Sequence, residues 1–175
     1  FDGDADRCFV VDENGAVVSP SAITCLVGLR EAERDRRAGR TPTVIYNLIS
    51  SRAVPEQLHA AHAKTVRARV GHSYIKAQMA DLDAIFGGEH SAHFYFRDFW
   101  FADSGMLAAM HVLAALGGQD APLSEILASH NPYAASGEIN STVDDAAAAT
   151  ARVRETFVKE GAVSDDFDGL TVSHW

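Results

Sequence analysis

Three aspartates alternate near the start of the chain, at Asp2, Asp4 and Asp6, with Gly3 and Ala5 between them. In an extended segment, side chains two residues apart point to the same face, so these carboxylates converge. Converging carboxylates repel one another unless a cation lies among them, and oxygen ligands select a hard ion such as Mg²⁺ or Ca²⁺. The spacing therefore predicts a cation site, and a solvated acidic turn is the alternative that these residues alone leave open.

A calcium-binding EF-hand loop is a second alternative for the same segment. Counted from Asp2, Glu13 stands where that loop needs its bidentate glutamate. The place that requires glycine for the sharp turn, however, holds Arg7. The residues CFVV that follow predict a strand, whereas an EF-hand continues as a helix. Both departures argue against an EF-hand.

The stretch GGEHSAH, residues 87–93, carries a second set of polar groups. Its two glycines would let the backbone turn closely, and Glu89, Ser91 and His93 would then project to one side of an extended loop. A carboxylate, a hydroxyl and an imidazole can each donate to, or accept from, the hydroxyl groups of a sugar. A loop that only leads into the aromatic segment after it is the alternative.

The stretch VGHSYIK, residues 70–76, carries a third set. His72 and Lys76 are four residues apart, so they share one face of the predicted helix. They lie near the amino terminus of that helix, where anions are favoured. This pattern predicts a contact with an anionic ligand, and an ordinary surface helix is the alternative.

Composition excludes several classes of protein. With 47% hydrophobic residues among 175, the chain can bury a core and is not a disordered tail. A formal net charge of −9 argues against a nucleic-acid or membrane partner that needs a basic face, although it permits local basic groups for a phosphorylated ligand. Cys8 and Cys25 form no disulfide framework, and neither a signal peptide nor a long apolar run is present. A cytoplasmic location is therefore expected.

Apolar patterning predicts strands that alternate with helices, which indicates an α/β layered fold. Asn14-Gly15 lies between two apolar runs and predicts a tight hairpin turn. The predicted strands are 43–49, 64–70, 84–89 and 168–175. The predicted helices are 21–39, 51–63, 71–80, 103–116, 122–129 and 144–160.

Together these stretches resemble the α-D-phosphohexomutase superfamily, the phosphomannomutases and phosphoglucomutases. DGDADR (2–7) resembles the metal loop of the family, and GEHSAH (88–93) resembles its sugar-recognition loop. GHSYIK (71–76) resembles a segment of its third domain, and SGEINSTVDD (136–145) resembles the start of its fourth. The order and intervals also fit, so the resemblance covers nearly the whole chain.

The resemblance implies a three-layer α/β/α domain with a mixed sheet, flanked by parts of its neighbours. Residues 1–18 would be the end of the second domain, with the metal loop and hairpin. Residues 19–132 would be the third domain, with the sugar-binding loop, and residues 133–175 a linker and the start of the fourth. The chain would thus be a fragment of a four-domain enzyme.

The resemblance also implies an enzyme that interconverts hexose 1-phosphate and hexose 6-phosphate, an intramolecular phosphotransferase of the isomerase class. In such enzymes a phosphoserine of the first domain phosphorylates the sugar, and the bisphosphorylated intermediate reorients before it returns a phosphoryl group to the serine. Mg²⁺ would be held by Asp2, Asp4, Asp6 and that phosphoserine. Arg7 would lie near the transferring phosphate.

The substrate contacts implied by the resemblance lie in the other two stretches. Glu89 and Ser91 would grip sugar hydroxyls with His93 close by, while His72 and Lys76 would line the cleft. No catalytic serine is expected in this chain, because in the family it lies upstream of the aspartates.

Two questions of function stay open at this stage. Mannose and glucose phosphates are favoured over glucosamine phosphate, because the amino-sugar relatives usually carry Gln where His90 stands. The rival outside the enzyme class is a module that binds a metal or a sugar phosphate and never turns over. Without a serine domain, the isolated chain is expected to catalyse nothing.

Three features depart from the pattern of the family. Ser129, in ASHNP (128–132), imitates the phosphoserine loop but follows the predicted third domain, so we interpret it as part of a turn. The strand end YNLISS (46–51) lacks a lysine that many relatives carry, which Arg52 could replace. Ala92 stands where Gly is common, which is expected to be tolerated if its φ is negative.

Overall fold

The computed structural model describes residues 1–174, which divide into two compact units after Ala134. Trp175, the last residue of the predicted strand 168–175, lies outside the described residues. The first unit holds nearly all of the buried apolar side chains. It therefore carries the main core of the chain.

A five-stranded mixed sheet forms the centre of the first unit, with the strand order β2-β1-β3-β4-β5. The three strands β2, β1 and β3 are parallel, whereas β4 and β5 continue the sheet in antiparallel order. The strands are β1 (Thr43–Asn47), β2 (Lys64–Ala68), β3 (Phe86–Gly88), β4 (Phe94–Phe96) and β5 (Ala102–Asp103).

Five helices surround this sheet, and a short 3-10 turn, Arg97–Phe99, joins β4 to β5. The first helix follows Ser19 with a proline at its first position and ends before Gly39, whose φ of 77° suits a helix end. The helices are α1 (Pro20–Arg37), α2 (Ala53–Ala60), α3 (His72–Leu82), α4 (Gly105–Leu116) and α5 (Leu123–Ala128).

Helices cover both faces of the sheet. One hydrophobic cluster joins sheet residues such as Val44 and Phe86 to the apolar sides of α1, α2, α4 and α5. A second cluster joins Ile45 and Tyr95 to α3 on the other face. The predicted three-layer α/β/α fold with a mixed sheet is therefore confirmed.

The paired glycines of β3 serve packing. A Cβ atom on Gly88 would lie 2.5 Å from the side chain of Thr24 in α1, and one on Gly87 would lie 3.0 Å from Met79 Sδ in α3. Neither glycine has a positive φ. The expectation that they let the loop turn closely was therefore wrong, because they instead let two helices approach β3 from opposite faces.

The segment before α1 contains the predicted turn at Asn14-Gly15, where Gly15 has a φ of 79°. Its two arms pair through a bridge between Val11 and Val17. The tight turn is therefore confirmed, with pairing shorter than in a regular hairpin.

The second unit contains α6 (Ala146–Lys159), β6 (Val163–Asp165) and β7 (Thr171–Ser173). Asp145 caps α6 by accepting a hydrogen bond from Ala148 N. The two strands pair antiparallel, and β6 was not predicted from the sequence. No helix within residues 1–174 is both long and apolar enough to cross a membrane.

Candidate functional site

The polar stretches singled out above meet at one edge of the sheet. The parallel strands β1, β2 and β3 all end at this edge, where α/β proteins commonly bind ligands. GEHSAH continues from β3, and α3 begins just after β2. The loop of residues 2–7, here called the aspartate loop, joins them through a bridge between Arg7 and His93 and a hydrogen bond of 3.1 Å from Cys8 N to Ala92 O.

The aspartate loop presents a set of oxygen donors. One carboxylate oxygen from each of Asp2, Asp4 and Asp6 lies within 4.8 Å of the other two. Asp6 Oδ1 is buried and has no hydrogen-bond partner among residues 1–174. An oxygen-only donor set with an unpartnered buried oxygen fits a hard divalent cation such as Mg²⁺.

Arg7 folds back on the same loop. Its Nε lies 2.5 Å from Asp2 Oδ2, and its backbone N–H donates to Asp2 Oδ1 at 3.2 Å. Burial acts to raise the pKa of Asp2, but the hydrogen bonds and positive charge of Arg7 outweigh it and lower that pKa. Asp2 is thus ionised at neutral pH, and Arg7 neutralises part of the negative charge of the loop.

Glu89 is held in a buried position by two donors. Tyr95 Oη donates to its Oε2 at 2.7 Å, and Gly71 N donates to its Oε1 at 3.2 Å. The side chain of Glu89 is only 2% exposed. Burial raises the pKa of Tyr95, and the hydrogen bond to Glu89 and its negative charge raise that pKa further. The hydroxyl of Tyr95 therefore remains a donor at neutral pH. Glu89 therefore ties the loop after β3 to the start of α3.

His93, the last residue of GEHSAH, lies between the rest of that stretch and the aspartate loop. Its Nδ1 is 2.9 Å from Ser91 Oγ and 3.8 Å from Glu89 Oε2. Its Nε2 is 3.5 Å from Asp6 Oδ2. The predicted trio of Glu89, Ser91 and His93 is thus brought together, and it lies against the predicted cation ligands.

Of the two residues singled out in α3, Lys76 is held in an ion pair, whereas His72 is exposed. Lys76 Nζ forms an ion pair of 2.7 Å with Asp103 Oδ1 and lies 5.8 Å from the centroid of the Tyr95 ring. His72, one turn earlier, is exposed at the first position of α3. Burial acts to raise the pKa of Asp103, but the hydrogen bond and charge of Lys76 lower it.

Sequence reasoning missed Asp103 as part of this site. Its carboxylate oxygen, one from Asp6 and a ring nitrogen of His93 all lie within 4.8 Å of one another. Asp103 ends β5 directly before the α4 cap, Ser104, whose Oγ accepts from Leu107 N. The signal that the sequence offers is an acid at the start of the predicted helix 103–116, and this pattern predicts a helix start rather than a place in the site.

Ala92 adopts a φ of 69° and is fully buried. The condition under which Ala92 was expected to be tolerated, a negative φ, is therefore not met. The left-handed region is strained for an alanine and suits a glycine, the residue that the resemblance implies at this place.

Ser129 and Arg52 make contacts on the α2 side of the first unit. Ser129 ends α5, and its carbonyl oxygen accepts a hydrogen bond of 2.7 Å from Gln57 Nε2. Arg52, the residue before α2, pairs through its Nε with Glu56 Oε1 at 2.6 Å. The exposed side chain within YNLISS is Ile49, which carries no charge.

The fold and the site together define a member of the phosphohexomutases. The family described as phosphoglucomutase/phosphomannomutase, alpha/beta/alpha domain III, matches residues 19–133. The chain belongs to this family.

Relatives of known name agree with this assignment. The chain is 41% identical over 180 residues to a phosphomannomutase of Salmonella montevideo, a match that covers 99% of this chain and 37% of the relative. It is 33% identical over 172 residues to a phosphomannomutase of Methanocaldococcus jannaschii, which covers 98% and 37% respectively. The chain thus spans little more than a third of the length of these relatives.

A solved structure shows the same fold. The phosphoglucomutase/phosphomannomutase family protein of Burkholderia thailandensis superimposes with a TM-score of 0.76 at 24% identity. The superposition covers 99% of this chain and 36% of that protein.

Proposed function

We propose that this chain supplies the cation-binding and sugar-binding part of a phosphomannomutase/phosphoglucomutase. The enzyme interconverts hexose 1-phosphate and hexose 6-phosphate, with mannose or glucose as the sugar. The observation that carries the proposal is the junction of the aspartate loop with GEHSAH through the Arg7–His93 bridge. It supports a single site that binds a cation and a sugar, in a chain whose two relatives described above, at 33% and 41% identity, are phosphomannomutases.

The aspartate loop is proposed to hold the cation. Asp2, Asp4 and Asp6 would bind Mg²⁺, which when bound supplies neutralisation of charge on a phosphoryl group in transfer. Arg7 adds a fixed positive charge beside them and would steady the same phosphate. These residues position and neutralise charge, which is the main task of a protein in phosphoryl transfer.

The remaining residues are proposed to bind the sugar. Glu89 and Ser91 would contact hydroxyl groups of the hexose, while His93, between Ser91 and Asp6, would lie close to the reacting hydroxyl. Lys76 and His72 would line the cleft on the α3 side. Because Glu89 is held by Tyr95 and Gly71, its carboxylate is oriented before any ligand binds.

The phosphoryl donor is proposed to be a phosphoserine of the enzyme that lies outside these 175 residues. That serine would give its phosphoryl group to the free hydroxyl of a hexose monophosphate and regain one from the other end of the bisphosphorylated sugar. Ser129 is proposed not to be this serine. Its position at the end of α5, bonded to α2, supports the interpretation of ASHNP as a turn.

The alternative of a binding module applies to the isolated chain. We propose that it binds hexose phosphate weakly and turns nothing over. We also propose that residues 1–18 are the end of the second domain, residues 19–132 the third domain, and residues 133–175 a linker and the start of the fourth. A cytoplasmic location is part of the same proposal.

The proposal is tested by calorimetry of the 175-residue chain with Mg²⁺ and the 1-phosphates of mannose, glucose and glucosamine. Binding of the first two is expected, weakened by Glu89→Gln and unaffected by Ser129→Ala. Turnover, followed by ³¹P NMR, is expected to be absent. Binding of glucosamine 1-phosphate alone would overturn the substrate assignment, and turnover abolished by Ser129→Ala would make Ser129 the nucleophile.

A further inference from the structure

The first turn of α4 lies directly against the aspartate loop. A Cβ atom on Gly105 would lie 2.8 Å from Arg7 O and 3.0 Å from Ala5 O. These are backbone atoms on either side of Asp6, so they cannot swing aside as the end of a side chain can. Only glycine permits this approach, and the placement of Asp6 therefore depends on α4.

Asp103, two residues before Gly105, holds the ammonium group of Lys76 next to the aspartate loop. Its side chain is 11% exposed and pairs with Lys76 Nζ at 2.7 Å. Its carboxylate is also one of the three groups, with Asp6 and His93, that lie within 4.8 Å of one another. Lys76 is long and flexible, so without Asp103 its ammonium could reach Asp6 and neutralise it.

We propose that Gly105 and Asp103 are positioning residues of the cation site. Gly105 sets the backbone that carries Asp6, and Asp103 retains Lys76 so that Asp6 stays available to the cation. This inference rests on the proposed cation site at the aspartate loop and deepens it, since neither residue is proposed as a ligand.

The probe for this inference is Mn²⁺ added to the 175-residue chain, with free Mn²⁺ measured by electron paramagnetic resonance. The wild-type chain is expected to bind Mn²⁺, and Asp4→Asn is expected to abolish that binding. Gly105→Ala should weaken the affinity about tenfold or more, as loss of the support around metal ligands typically does. Circular dichroism would show whether the fold is retained.

A matched glycine variant separates positioning from a general effect on the fold. A Cβ atom on Gly28, inside α1, would lie 3.3 Å from Leu58, away from the aspartate loop. Gly28→Ala is therefore expected to bind Mn²⁺ as the wild type does.

The role of Asp103 is tested by loss of Mn²⁺ binding in one variant and its recovery in a double variant. This test also applies if Gly105→Ala does not fold. Asp103→Asn should weaken Mn²⁺ binding several-fold, and adding Lys76→Met should restore it, because the released ammonium is then gone. A loss that Lys76→Met fails to restore would overturn the role of Asp103. Wild-type affinity in both Gly105→Ala and Asp103→Asn would overturn the whole inference.

Absence of Mn²⁺ binding by the wild-type chain has a different meaning. It would overturn the proposed cation site itself, and this inference with it. The two failures are therefore distinguishable.

Discussion

At the scale of single residues, the backbone of Ala92 can be probed directly. Ala92 is fully buried at a φ of 69°. Relief of about 1–2 kcal/mol of strain in Ala92→Gly is offset by lost burial and by the freer unfolded chain, so stability should stay within about 1 kcal/mol. Ala92→Val, β-branched and larger, should cost more than about 2 kcal/mol. Urea unfolding of both variants measures this, and equal stability of the two would contradict it.

The hydrogen bond from Tyr95 to Glu89 is a second residue-scale prediction. Tyr95→Phe leaves one oxygen of a buried carboxylate unsatisfied and should destabilise the chain by about 1–3 kcal/mol. The matched control is Tyr133→Phe, which removes an exposed bond to Glu56 and should cost under about 0.5 kcal/mol. Thermal unfolding of the two variants compares them, and an equal loss would show that Glu89 finds another donor.

At the scale of elements, the contact between α1 and β3 depends on Gly88. Its Cβ would lie 2.5 Å from both Cγ2 and Oγ1 of Thr24, so Gly88→Ala should destabilise the chain by about 2 kcal/mol. Thr24→Ala removes those atoms, and the double variant should be more stable than Gly88→Ala alone. A double-mutant cycle measures the coupling. Strictly additive effects would contradict this packing.

A buried ion pair connects α1 to the turn between β4 and β5. Asp35, in α1, is 2% exposed and lies 2.6 Å from Arg97 Nη2 and 2.6 Å from Arg40 Nη2. Burial acts to raise the pKa of Asp35, but the two arginines lower it. Asp35→Asn should therefore cost about 3 kcal/mol at neutral pH, because the arginines lose their buried partner.

The lowered pKa of Asp35 determines how its contribution to stability changes with pH. The folded-state pKa of Asp35 lies below its ordinary value of 3.8, so its stabilisation is fully present above pH 3.8 and is lost as the pH falls through the folded-state pKa. The difference in free energy of unfolding between wild type and Asp35→Asn should be constant between about pH 5 and 8, where proteins tend to be most stable. It should shrink in acid. A difference that grows as the pH is lowered would contradict the pairing.

The elements also show what sequence could and could not predict. The helices and β1 to β3 were predictable because their apolar periods and end signals are local. β6 was missed because three residues with little apolar content carry no such signal. The Arg7–His93 bridge, the positive φ of Ala92 and the Lys76–Asp103 pair depend on contacts between distant parts of the chain, so local patterns cannot show them.

At the scale of the whole molecule, the first unit should fold alone. Among residues 1–174, every buried apolar side chain except Ala162 lies in residues 1–134. A chain of residues 1–134 should therefore unfold cooperatively, with its melting temperature within about 3 °C of the full chain. Calorimetry of the two chains tests this. Non-cooperative unfolding of the shorter chain would show that residues 135–175 are needed for the core.

The proposed function requires the aspartate loop and the loop after β3 to form one site for a cation and a hexose phosphate. A ¹⁵N NMR titration of the 175-residue chain with mannose 1-phosphate in the presence of Mg²⁺ tests this. Shifts are expected in residues 2–7, 71–76 and 89–93, and none is expected at Ser129. Shifts confined to other parts of the chain, or shifts centred on Ser129, would contradict it.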